Sequence, residues 1–90
     1  MAFTDADIAS AREAAQKGGE PEALYKLGLI YSSGQGDQLD FVQAHMWFNL
    51  AAMRGVEAAK MSRKELADHM TTTQVAAALK AAREWLDRPH

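Results

Sequence analysis

Apolar residues along this 90-residue chain recur at helical rather than alternating spacing. Between 21 and 33, Ala23, Leu24, Leu27, Ile30 and Tyr31 share one side of a helix, with Tyr25 and Leu29 off that stripe, one turn apart. Between 41 and 54 the apolar positions run almost all the way round. Phe41, Ala44, Phe48, Ala51 and Ala52 make one face, and Val42, Met46, Leu50 and Met53 another. A helix apolar on two faces must be sandwiched between neighbours, so this segment is expected at the centre of the core. Val75, Ala78, Leu79, Ala82 and Leu86 form a stripe through 72–87, and Trp85 falls beside it. The 56–69 segment is weaker: Val56, Ala59, Leu66, Ala67 and Met70 share a face that also holds Arg63. No stretch alternates long enough to predict a strand.

Breakers and caps divide the pattern into five helices, at about 5–17, 21–33, 41–54, 56–69 and 72–87. Gly18-Gly19 with Pro21, Gly34-Gln35-Gly36-Asp37, Gly55 and Thr71-Thr72-Thr73 separate them, and Pro89 closes the last. Thr4 with Asp7, Asp40 with Gln43, and Thr71 with Gln74 have capping-box spacing, and Phe3/Ile8 and Met70/Val75 are placed as hydrophobic staples. Pro21 suits a first helical position, where its missing N–H is not needed. Lys17, Arg54 and Arg88 stand near helix ends, where a cation complements the helix dipole.

The helices also repeat. Ala14-Ala15-Gln16-Lys17-Gly18 is echoed by Ala51-Ala52-Met53-Arg54-Gly55, 37 residues later, and a new helix starts soon after each. Paired helices at a period of 30–45 residues indicate an α-solenoid, because one pair cannot bury its apolar faces alone. The run Ala23-Leu24-Tyr25-Lys26-Leu27-Gly28-Leu29-Ile30-Tyr31, then Gly34, Gly36, Asp40, Ala44, Trp47, Ala51-Ala52 and Gly55, resembles a Sel-one-like repeat, covering roughly 19–57. Arg63, Leu66-Ala67, Met70-Thr71, Gln74 and Trp85 resemble the ending of bacterial proteins of that family. The resemblance implies an all-α, tetratricopeptide-like α–α superhelix of about five antiparallel helices. In it, 4–18 is a partial N-terminal repeat helix, 19–55 a complete repeat and 56–88 a degenerate capping pair, within the single domain 1–90. Gly28 mid-helix costs stability unless it admits a close neighbour, which predicts a packing role. Ala44, Ala51 and Ala52 would keep the pair tight while Trp47 fills a wider gap.

Composition narrows the function. With no cysteine, thiol nucleophiles, zinc–thiolate sites and disulfides are excluded. A formal net charge of −2 marks neither a nucleic-acid nor an anionic-membrane binder. No apolar run reaches a membrane span, and no basic-then-apolar leader opens the chain, so a cytoplasmic protein is expected. Ser32, Ser33 and Ser62 lie in no nucleophile elbow. His45, His69 and His90 are not spaced as metal ligands, and Gly34-Gln35-Gly36-Asp37 lacks the Lys-Ser/Thr of a phosphate loop. Asp37 and Asp40 lack the other ligands of a calcium loop. No cofactor, metal or catalytic residue is therefore expected. His45 and Asn49, one turn apart, are expected to form a buried hydrogen-bonded pair. Lys60, Arg63 and Lys64, amid Glu57, Glu65 and Asp68, are expected to pair within the chain or face solvent.

In tetratricopeptide-like arrays the first helix of each pair lines the concave side. The off-stripe residues of the second helix are Glu22, Tyr25, Lys26, Leu29 and Ser32, and their counterparts 36 residues on are Ala58, Met61, Ser62, Glu65 and Asp68. This places Tyr25, Leu29 and Met61 as apolar anchors beside Glu65 and Asp68 as acidic selectors, a surface suited to a peptide with apolar side chains and a basic residue. The first helix folding over Tyr25 and Leu29 is the competing arrangement. The expected function is a protein-interaction or scaffold module binding a protein or peptide, with no nucleic acid and no membrane. A homodimer through exposed array ends, burying Trp85, is the alternative. A hydrolase is a remote one, carried by some members of the resembled family and lacking a triad or metal set here.

Overall fold

The computed structural model describes residues 3–33 and 39–88, and three of its five helices begin at a side-chain cap that the sequence supplies. They are α1 (Asp5–Gly18), α2 (Pro21–Ser33), α3 (Phe41–Met53), α4 (Glu57–Ala67) and α5 (Thr72–Asp87), with no strand among the described residues. Thr4 Oγ1 accepts from the Asp7 N–H while Asp7 accepts from the Thr4 N–H, both at 3.1 Å. The bond from the Thr4 N–H first, and the Thr4 hydroxyl second, hold the Asp7 carboxyl below its ordinary value. Thr71 and Gln74 make the same reciprocal box for α5. Asp40 accepts from the Gln43 N–H at 3.0 Å. The fourth helix is shorter than expected. It ends at Ala67, after which the His69 and Met70 amides turn back on the carbonyls of Leu66 and Ala67. The Gly34-Gln35-Gly36-Asp37 turn, Pro89 and His90 lie outside the described residues.

Helix α3 occupies the centre, as its two apolar faces demand: α2, α4 and α5 all pack on it, and α1 packs on α2. The main core joins Ile8, Ala11 and Ala15 of α1 to Leu24, Leu27 and Ile30 of α2 and to Met46, Leu50, Ala51 and Ala52 of α3. A smaller cluster of Ala44, Phe48 and Leu66 ties α3 to α4. The radius of gyration, 12.0 Å, matches the roughly 12 Å of a compact domain of this length, so the helices stack without elongation.

Periodicity misassigns one face. On α5 the buried residues are Ala78, Ala82 and Trp85, while Leu79 and Leu86 are 43% and 41% exposed. Small alanines let α5 approach α3, and the indole then buries more surface than either leucine would. Trp85 packs edge-on against Trp47, with ring centroids 6.1 Å apart. Trp85 is 6% exposed, so the chain itself buries the indole that the sequence offered to a homodimer.

Arg54 stands at the end of α3, as the sequence predicts. It also reaches beyond its own helix. Its guanidinium reaches 35 residues back and donates to the Gly19 carbonyl at 3.0 Å. Gly19 has φ +62, and a Cβ there would lie 3.0 Å from both the Arg54 guanidinium and the Trp85 ring. The α1–α2 turn, the end of α3 and α5 therefore meet at one crowded glycine.

Candidate functional site

The site is built around the position where Gly28 leaves room for an aromatic ring. A Cβ on Gly28 would fall 2.4 Å from ring atoms of Phe48, so α3 inserts that ring against the bare backbone of α2. Tyr25, one turn earlier on α2, lays its ring on Phe48 at 5.7 Å between centroids. Above this aromatic floor α2 and α4 leave an open groove of about 320 Å³, lined by Leu29 and Ser32 of α2, Ser62, Glu65 and Leu66 of α4, and His69 just beyond. Lining of this kind, an apolar floor with a few polar groups at the rim, suits a side chain more than a whole small molecule.

The structure brings two of the sequence-predicted residues together. Leu29 and Glu65, predicted from their shared repeat position, do stand together in the groove. Tyr25 is half-buried against Phe48 and does not line the groove. Met61 is 62% exposed and Asp68 is exposed at the end of α4, and neither lines the groove. Helix α1 contributes nothing to it, so the arrangement in which α1 fills the groove does not occur. Instead α1 spends its contacts elsewhere, with Arg12 donating to the Tyr31 hydroxyl. Sequence reasoning missed Phe48 and Leu66 as floor and His69 as rim. The signal for Phe48 was present in the bare Gly28 of the facing helix.

The charges around the groove are unevenly used. Lys60 pairs with Glu57 at 3.0 Å, and Arg63 donates to Asn49 Oδ1. Glu65 has no ion pair or hydrogen bond among the described residues. Arg63 also corrects the expected His45–Asn49 pair: Asn49 turns to Arg63, and His45 Nδ1 is buried with no partner among the described residues. Burial, and secondarily the Arg63 charge, push the His45 imidazole below its ordinary value and hold it neutral.

A larger hollow, about 540 Å³, opens on the other side of α3 between α1 and α5, over Met46, Trp47 and Trp85. Its rim mixes Gln16, Gln43, Lys80, Glu84 and Arg88 without a dominant charge. Among the described residues no group of three or more His, Asp or Glu side chains is arranged to hold a metal ion, and no helix is long and apolar enough to cross a membrane. Compared with protein-family models, curated proteins and solved structures, the chain matches none.

Proposed function

We propose that this chain is a docking module, and that the α2/α4 groove takes a partner segment carrying an apolar side chain next to a cation. One observation carries this reading. A carboxylate unpaired among the described residues, Glu65, stands at the rim of a groove whose floor is Leu29, Leu66 and Phe48. An apolar side chain seated there gains by leaving water, and a neighbouring cation finds a charge that no described group of the chain engages. The module works by rigid display. The Gly28–Phe48 contact fixes α2 on α3, and the Arg63–Asn49 bond fixes α4 on α3, so both walls are set before a partner arrives.

Within the same proposal the five helices form a short tetratricopeptide-like array of the Sel-one-like type. The 35-residue reach of Arg54 to Gly19 supports this, because it joins the ends of two helices at equivalent positions of the repeat. The activity is non-catalytic, and Tyr25, Met61 and Asp68 support or flank the groove while Leu29 and Glu65 do the recognising.

Fluorescence anisotropy with two labelled helical peptides tests the proposal. One presents Leu and Arg one turn apart, and the other has Glu in place of Arg. The Arg peptide binds the wild type at least about tenfold more tightly, and Glu65→Lys reverses the preference. Equal binding of the two peptides to the wild type contradicts the reading.

A further inference from the structure

The rotation of α5 that buries Trp85 leaves a ridge on its outer side. Leu79 and Leu86 are 43% and 41% exposed, and Arg83 lies between them on the same face, at i+4 from Leu79 and i−3 from Leu86. Arg83 has no ion pair or hydrogen bond among the described residues, although Asp87 is one turn away. The ridge therefore reads apolar, basic, apolar over about 10 Å of helix. This is the chemistry that the α2/α4 groove asks for: an apolar floor and an acid at the rim.

We propose that the occupant of the α2/α4 groove is α5 of a second copy of this chain, docked through Leu79, Arg83 and Leu86, with Arg83 against Glu65. The proposal rests on the groove being a docking site, and it names the partner. Charge complementarity argues for this occupant, since a cation and a carboxylate, each unpaired among the described residues, lie on different faces of one molecule. Docking within one copy is excluded by the packing of α5. Ala78, Ala82 and Trp85 hold its inner face to the core, so the ridge points away from its own chain. A formal net charge of only −2 leaves little long-range repulsion between copies. The mode is a helix laid in a groove, with anchors at the spacing such helices use.

Sedimentation equilibrium on the full chain, over a wide concentration range, tests this with two charge reversals. Glu65→Lys sets a second cation against Arg83, and Arg83→Glu sets a second carboxylate against Glu65. Each variant alone therefore associates at least about tenfold more weakly than the wild type. Both positions are exposed, and circular dichroism verifies that each variant folds. Mixed together, the two variants present complementary pairs, and association returns. The double variant Glu65→Lys/Arg83→Glu also associates. A wild type that stays monomeric at millimolar concentration overturns the proposal, as do single variants that associate like the wild type or a mixture that stays monomeric. The peptide titration separates the two readings. If the Arg peptide binds and Glu65→Lys reverses the preference while the wild type remains monomeric, the groove stands as a docking site and the second copy falls. If neither occurs, both fall.

Discussion

Phe48 occupies the space that a side chain on residue 28 would need. An added Cβ on Gly28 would lie 2.4 Å from two of its ring atoms. That contact joins the two helices that build the groove, and it explains why a residue unfavourable to helices sits in the middle of α2.

Gly28→Ala is the direct test of that contact. Alanine gains up to about 1 kcal/mol of helix propensity, but forcing the ring aside costs ~1–3 kcal/mol, so the net effect is destabilising. Phe48 is 2% exposed and cannot swing into solvent freely. Thermal melts show a lower Tm with helicity retained. In the Phe48→Leu background the same substitution is less harmful, a non-additivity that marks the pair as coupled.

On α5, periodicity and packing give opposite rankings. Trp85→Ala loses about 3–5 kcal/mol, whereas Leu79→Ala and Leu86→Ala each stay within about 0.5 kcal/mol at concentrations where the chain is monomeric. Urea midpoints for the three variants order the residues. A Leu86 variant less stable than the Trp85 variant contradicts the observed face.

Arg54→Met retains the aliphatic stem and removes the bonds to the α1–α2 turn, whose carbonyl at Gly19 lies 3.0 Å from Nη1. Because Arg54 is largely exposed, the loss is about 1 kcal/mol rather than the larger value of a buried charged bond. Hydrogen exchange at the end of α1, including the Gly19 amide bonded to Ala15, rises more than exchange in α4.

His45 makes stability depend on pH. Burial first, and Arg63 second, hold its imidazole below the ordinary 6.5, so the unfolded chain takes up a proton where the folded chain does not. The stability it contributes is present in full above the unfolded value. It is lost as the pH falls from there through the lower folded value. Urea midpoints fall between pH 7.5 and pH 5 for the wild type, and His45→Leu, which removes the buried proton acceptor, shows a smaller fall.

Much of the fold was legible because it is local. Thr4/Asp7 and Thr71/Gln74 specify two helix starts within four residues, and the two-faced apolar pattern of 41–54 required a central helix. What was not legible depends on geometry between helices. The α5 stripe counted Leu79 and Leu86 as core, because periodicity cannot tell which of two adjacent faces a bulky Trp85 will claim. Asn49 was paired with its helical neighbour His45, but Arg63, fourteen residues on, offers a charged donor. For the groove, repeat arithmetic aligned Leu29 with Glu65, and the structure brings them together. Tyr25 does not line the groove because its ring packs on Phe48, which the bare Gly28 admits.

The most direct test of the docking account is a titration of the ¹⁵N-labelled chain, held dilute enough to be monomeric, with the Leu–Arg helical peptide, followed by amide shifts. The account predicts that the largest shifts fall on Ser32, Ser62, Glu65, Leu66 and His69, that the α1/α5 hollow around Trp47 stays quiet, and that Glu65→Lys removes the response. Largest shifts around Trp47, or a response that Glu65→Lys leaves unchanged, would contradict it.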